Sequence, residues 1–258
     1  MRIKKKGPTG KSGSDSEWIY GFNPVIEALR TDRHIKRIFL SETRHDKISV
    51  LRQRAAEKNI QIEKRQAHFF HETFPKGHQG IAAEVSLKKN IPAERLFEIS
   101  AEKQEMPCFL VLDGIVDVRN FGAILRVADA AGIHGVVIQS YHSAPVGPET
   151  SKASAGAVEH VPICRVANIK HVIREMQERG ILIIGTDAKA DQTLWDADLT
   201  VPLAFVLGSE EKGMRRTVKE KCDLSLRIPM RGAMNSLNVS VAAGIIAFEL
   251  LRQRLRKI

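Results

Sequence analysis

Two rhythms of apolar positions alternate along the chain: every second residue, as in a half-buried strand, and every third or fourth, as in a helix with one buried stripe. From Trp18 onward they predict a helix over 24–30, a strand over 35–40, a helix over 48–58, and strands over 60–64 and 80–85. That is a small α/β domain, bounded at 17–87. Beyond residue 106, β-rich runs at 109–112, 136–139, 161–166, 181–185, 204–207 and 224–228 alternate with helical stretches. Such alternation predicts a mostly parallel sheet covered on both faces, in a second domain spanning 107–258.

The segments between and around these domains carry few apolar anchors. Residues 88–106 are polar and are expected to link the domains, although RLFEIS within them has the pattern of a short helix. Residues 1–16, rich in Lys, Gly and Ser, are expected to form a disordered basic arm. At the other end, Leu237, Val241, Ile245, Phe248 and Leu255 recur at helical spacing. Core packing is the ordinary reading of that stripe; a partner interface is the alternative.

A hydrophobic fraction of 43% over 258 residues is enough for one large core or two modest ones, which excludes disorder throughout. No run approaches the roughly 20 apolar residues of a membrane span, and no apolar stretch follows the basic N-terminus, so the expected compartment is the cytoplasm. Cys108, Cys164 and Cys222 lie far apart and form no CxxC pair. They read as small buried hydrophobes rather than as a zinc site or a disulfide framework. His68, His71 and His78 lack cysteine partners and sit in what reads as an amphipathic turn, so no metal is expected. The net charge of +10 resides mostly in the tails: Arg2, Lys4, Lys5, Lys6 and Lys11 at one end, and Arg252, Arg254, Arg256 and Lys257 at the other. A polyanionic partner fits this balance, but so does a solvated tail.

Candidate chemistry gathers in three loops. The first strand of the second domain runs into LDGIVDVRNFGAILR, with no GxGxxG behind it and no GxxxxGK[ST] anywhere in the chain. Asn120, Gly122 and Arg126 stand there instead, and each taken alone reads as a helix cap, a packing glycine and a solvent-facing charge. FVLGSEEKGM then sets Gly208, Glu210 and Gly213 at the end of an apolar strand, where open α/β sheets place ligand loops. The glycines there suit close backbone approach to a ligand or a tight turn. LRIPMRGAMNSLNVSVAAGIIAFE follows the last strand and opens the C-terminal helix, for which Ser236 is the expected cap.

In that order and at these separations, N-x-G-x-x-x-R, G-x-E-x-x-G and I-P-M-x-G-x-x-x-S-L-N-V-S-V-A resemble the SpoU/TrmH family of SPOUT RNA 2′-O-methyltransferases. GFNPVIEAL and HQGIAAEV in the first domain are similar to members that methylate a guanosine of large-subunit ribosomal RNA. The resemblance covers about residues 19–251. It implies a small N-terminal α/β RNA-binding domain and a C-terminal SPOUT domain, with a mostly parallel sheet and a deep trefoil knot. It also implies S-adenosylmethionine as cofactor, held by Thr186, Leu207, Gly208, Ile228, Met230 and Leu237, and a homodimer whose active site borrows residues from the second copy.

By the same resemblance Arg126, Asn120, Glu210, Ser236 and Asn238 are the catalytic set. An arginine is almost never neutral in a protein, so Arg126 is expected to stabilise a developing alkoxide as a cation rather than to act as the base. Asn120 is expected to orient it, Glu210 to position it or to receive hydrogen bonds from the cofactor region, and Ser236 and Asn238 to fix the ribose or the backbone. In the first domain Arg30, Arg33, Lys36 and Arg37 are expected to contact RNA phosphates. A transfer-RNA 2′-O-methyltransferase and a catalytically silent RNA-binding assembly factor are the alternatives.

Overall fold

The computed structural model describes residues 15–44 and 48–256, so the expected arm up to residue 14 and Lys257 lie outside the described residues. The chain divides into two compact units. In the first, β1 (Ser16–Tyr20), α1 (Phe22–Arg30), β2 (Ile35–Ser41), α2 (Ile48–Glu57), β3 (Ile62–Arg65), α3 (Ala67–Thr73) and β4 (Ile81–Ser86) build a four-stranded sheet in the order β1-β4-β2-β3. Alternation along β2 sends Ile38 and Leu40 into a core with Val25, Leu29 and Leu51, and Phe39 into an opposite cluster with Tyr20, Phe70 and Phe74. Two elements here differ from expectation. β1 begins at Ser16, inside the expected arm, and α3 replaces the expected amphipathic turn around His68 and His71.

In the second unit α4 (Ala93–Glu102) precedes β5 (Cys108–Asp113), α5 (Val118–Ala130) and β6 (Gly135–Gln139). The expected linker is thus largely folded. Leu96 of α4 is fully buried in the main core, and Ile91 bridges to Cys164, because the apolar residues of RLFEIS at helical spacing find a sheet face to cover. The chain then returns to the first unit over 146–160, where α6 (Pro148–Ala153) lies. Those residues fall inside the span expected for the second domain, 107–258.

Then come β7 (Ile163–Val166), α7 (Ile169–Glu178), β8 (Leu182–Thr186), β9 (Gln192–Thr193), β10 (Leu203–Gly208), α8 (Arg216–Lys219), β11 (Leu224–Arg227) and α9 (Val239–Leu255). The seven strands order as β7-β6-β5-β10-β8-β11-β9, every neighbouring pair parallel. Every residue of β5, near the middle, is buried. From β5 the chain steps outward through β6 to β7, whereas β10 opens the other half of the sheet. Ligand loops are expected where the strand order reverses, beyond the carboxyl ends of β5 and β10.

α9 corrects one expectation. Its apolar stripe exists, but Val239, Ala243, Ile246, Ala247 and Leu250 are the residues that pack, while Val241 and Phe248 are 51% and 48% exposed. The helix is apolar on more than one side, so its periodicity did not single out the face that meets the sheet. Leu237 and Leu255 are exposed as well.

Candidate active site

Asp117 caps α5, its Oδ1 accepting from the backbone N–H groups of Arg119 (2.8 Å) and Asn120 (2.9 Å). The capping role open to Asn120 is therefore taken, and its carboxamide is left for other partners. Its Nδ2 donates to Glu210 Oε1, and its Oδ1 accepts from Asn238 Nδ2 at 3.0 Å. Asn238 in turn caps α9 through Oδ1, at 2.9 Å from Ser240 N and 3.4 Å from Val241 N. Ser236 was the expected cap; Asn238, adjoining the first helical residue, has the reach for it. One asparagine thus ties the start of α5, the loop after β10 and the start of α9.

Glu210 sits on a tight hairpin closed by Ser209 N to Gly213 O (3.1 Å) and Gly213 N to Ser209 O (2.8 Å). A Cβ on Gly208 would lie 2.1 Å from the Gly213 carbonyl carbon and from the Met214 nitrogen. Gly208 is therefore glycine so that the hairpin can fold back onto its own strand, and ligand approach is not needed to explain it. Arg215, just beyond, anchors the hairpin. Its backbone N–H donates to Asp113 Oδ2 (2.8 Å), its Nε to Asp113 Oδ1 (2.7 Å), and its Nη2 to Gln139 Oε1 (2.5 Å). The Asp113 side chain is fully buried, a burial that a carboxylate tolerates only when paired and hydrogen-bonded. Sequence reasoning missed Asp113, Gln139 and Arg215; the one available signal was an acid ending a wholly apolar strand.

Beside this network lies a cavity of about 500 Å³. Thr186, Leu207, Gly208, Ile228, Met230 and Leu237, the six residues expected to hold a cofactor, all line it. Glu210 and Ser236 line it too. Phe205, Leu226 and Ile246 give it apolar walls, and the exposed loop backbone after β10 and β11 gives it polar edges. That size and mixture fit a nucleoside-bearing cofactor. Asp187 on the rim pairs with Lys219, whose hydrogen bond, helped by the Lys189 N–H, holds the carboxyl below the usual range.

Arg126 is placed apart from the rest. Six residues along a helix turn it about 120° from Asn120 and about 9 Å further on. It is exposed, does not line the cavity, and has no hydrogen-bond or ion-pair partner among the described residues. Asn120 and Glu210 bind each other rather than Arg126.

In the first unit, Arg33 overturns the expectation of a phosphate-binding cation. Its side chain is 6% exposed, pairs with Glu17 and with Glu159 (2.5 Å), and donates to the Ser86 carbonyl at 2.9 and 2.7 Å. Its donors are consumed by two acids and a backbone carbonyl far away in sequence. Burial raises the Glu17 carboxyl in spite of the guanidinium beside it. Arg30 is half-exposed against Glu27, while Lys36 and Arg37, also half-exposed, share Glu84. The Arg37 guanidinium lies 5.3 Å from the Phe39 ring centroid. No three metal-ligating side chains converge among the described residues, and no helix there is long and apolar enough to cross a membrane.

Residues 107–248 match the SpoU rRNA Methylase family, and 18–90 match the module described as RNA 2′-O ribose methyltransferase substrate binding. The chain belongs to the SpoU rRNA methylase family. It is 40% identical over 243 residues to the 23S rRNA (guanosine-2′-O-)-methyltransferase RlmB of Pseudomonas aeruginosa, covering 93% of this chain and 98% of that one. Identity to the Escherichia coli K12 RlmB is also 40%, over 93% and 99% of the two chains. Among solved structures, the SpoU methyltransferase AviRb from Streptomyces viridochromogenes, in complex with AdoMet, superposes with a TM-score of 0.81 at 23% identity. The superposition covers 98% of this chain and 96% of that one, and it shows a shared fold.

Proposed function

We propose that the protein methylates the ribose 2′-hydroxyl of a guanosine in large-subunit ribosomal RNA, with S-adenosylmethionine as donor. Its family makes it an RNA 2′-O-methyltransferase, and the RlmB enzymes of P. aeruginosa and E. coli supply the grounds for the base and the RNA. The observation that carries the reading is the joining of three distant loops by Asn120, Glu210 and Asn238 at the edge of the 500 Å³ cavity.

S-adenosylmethionine, when bound, supplies a methyl group already electrophilic on its sulfonium. The chain's own task is to align a 2′-oxygen and to favour its negative charge. Gly208, Ile228, Met230 and Leu237 offer main chain and apolar surface for the donor, with Thr186 and Leu207 behind them. Asn120 holds the Glu210 hairpin against the start of α9, and Ser236 and Asn238 position the ribose. Arg126, as a cation, stabilises the alkoxide while the proton leaves to phosphate or water.

Arg126 does not line the cavity of its own chain, and a homodimer, the working form in this reading, would bring it to the cavity of a second copy. The exposed Val241 and Phe248 support this, since α5 and α9 touch at Val127 and Gly244 and thereby put Arg126 on the helix pair that bears the apolar stripe. A threaded C-terminal segment belongs to the same reading, as do RNA contacts from the arm, Arg30, Lys36 and Arg37, and a cytoplasmic location. Mass-spectrometric mapping of ribose methylation, in RNA from cells with and without the gene, tests the function. Loss of one methylguanosine in large-subunit RNA is expected; an unchanged map, or loss of a transfer-RNA mark, refutes it.

A further inference from the structure

The most exposed large apolar side chain among the described residues is Tyr141, at 75%, in the turn that follows β6. A single exposed apolar residue is ordinary on a protein surface, so its place decides whether it carries a function. In an open parallel sheet the carboxyl ends of the strands bear the ligand loops, and β6 lies beside β5, which lies beside β10. The turn after β6 therefore emerges at the same edge as the loops that lead to Asn120 and Glu210. Two strand spacings, about 10 Å, separate the end of β6 from that of β10.

Hydrogen bonds hold this turn in place. Ser143 Oγ donates to the Gln139 carbonyl at 2.5 Å, closing the chain across residues 140–142, and His142 sits within the turn at a φ of 56°. A non-glycine residue keeps that conformation where its surroundings over-determine it. Ser140 N donates to the Val166 carbonyl (2.8 Å) and Ala144 N to the Ile115 carbonyl (2.8 Å). The second of these bonds joins the turn to the loop after β5, where Val116 is itself 60% exposed. Gln139, two residues before Tyr141, accepts from Arg215, which also binds Asp113 and so ties the ends of β5 and β6 to the hairpin that carries Glu210. The backbone beneath the Tyr141 ring is thus fixed relative to the candidate active site, while the ring itself is left open to solvent.

We propose that Tyr141 stacks on an unpaired base beside the methylated nucleotide and so helps to select which ribose enters the site. A spacing of about 10 Å lies within reach of a neighbouring nucleotide of the same strand. Single-stranded RNA is commonly read through bases splayed out and stacked on aromatic rings. Ser140 and His142 on either side are exposed and polar, so the ring offers one face among polar groups. That is enough for one base and far short of the roughly 800 Å² per partner of a stable protein interface. Arg119, exposed in the first turn of α5, brings positive charge to the same edge for a phosphate, while the Asp117 carboxylate before it is engaged by the helix N–H groups. The assignment rests on the RNA methyltransferase reading and adds to it a specificity-determining residue that does not line the cavity.

The test uses the full-length protein, a large-subunit ribosomal RNA transcript and steady-state methylation. Tyr141→Ala is expected to raise KM for RNA about tenfold, the usual consequence of losing one base–aromatic stack, with kcat at saturating RNA and S-adenosylmethionine affinity unchanged. Tyr141→Phe keeps the ring and should retain most of the affinity, whereas Tyr141→Leu keeps apolar area without an aromatic face and should resemble the alanine variant. With the photoreactive p-benzoylphenylalanine in place of Tyr141, irradiation should crosslink the protein to a nucleotide adjoining the methylated one. Parent-like KM in Tyr141→Ala or Tyr141→Leu overturns the proposal, as does a crosslink that misses the RNA or maps far from the methylated nucleotide. Loss of self-association in Tyr141→Ala, seen by light scattering, overturns it too and assigns the ring to a second copy. If the unaltered protein does not methylate the transcript, the RNA methyltransferase reading fails and this assignment with it, whatever the variants do.

Discussion

The two units use polar side chains in opposite ways. In the first, Arg33, Glu17 and Glu159 form a largely buried ionic cluster that joins segments distant in sequence. In the second, two neutral carboxamides and one glutamate join three loops at the rim of a cavity. A buried ion pair has no donors left for a ligand, and breaking it strands a charge. An amide network at a rim costs little to expose and can exchange partners when a substrate arrives. Charged residues in a basic protein are thus poor guides to where RNA binds unless their burial is known, as Arg33 shows.

The comparison breaks if the ionic cluster can be lost cheaply. Arg33→Met should lower stability by about 3–5 kcal/mol, because Glu17 and Glu159 are left without their cation. Urea unfolding measures the loss, and a change below about 1 kcal/mol would make the cluster ornamental. Arg126→Ala should reduce kcat about 10²- to 10³-fold, the range for removing one transition-state donor, with S-adenosylmethionine affinity unchanged by calorimetry. Arg126→Lys sharpens this result: partial activity indicates a role of charge, and near-complete loss indicates need for the planar fork.

Phe248→Glu should weaken self-association about a hundredfold, the scale of a buried aromatic anchor, and light scattering would then report a monomer of 28.8 kDa. Activity should fall with it if, as proposed, the cavity and Arg126 meet only across the homodimer. The smallest effect concerns the cysteines. Burial pushes the Cys108 thiol to about 12 and the Cys164 thiol to about 11, so both should resist Ellman's reagent at pH 8 until the protein is unfolded. Rapid labelling of either in the native protein would contradict the packing described.

Long, strongly patterned strands were legible in the sequence. The six runs after residue 106 became β5, β6, β7, β8, β10 and β11 within two residues at each end. β9 has two residues and α3 seven, too few to establish a period, and the adjacent Phe69 and Phe70 in α3 blur the pattern further. Because α9 is apolar on several sides, its packed face depended on the sheet beneath it. That Glu210, Ser236 and the six cofactor candidates would gather at one cavity was legible because motif spacing reflects loops at strand ends. Arg33 was misread, since its acids stand 16 and 126 positions away. For the same reason Arg215 went unseen, its carboxylate lying 102 residues earlier. Burial of a charge depends on distant partners, and local pattern carries no record of them.

Gly208 and Gly232 carry equal weight when motifs are compared by eye, yet they face different selection. The backbone of residues 213 and 214 leaves no volume for a side chain at 208, whereas nothing lies within 4 Å of a Cβ at 232, where φ is outside the left-handed region. Under random mutagenesis with selection for folded protein, position 208 should therefore stay monomorphic and position 232 should drift. A restriction at 232 that appears only when selection is for activity would then reflect the bound donor or RNA, so mutational tolerance at these two glycines separates the demands of folding from those of catalysis.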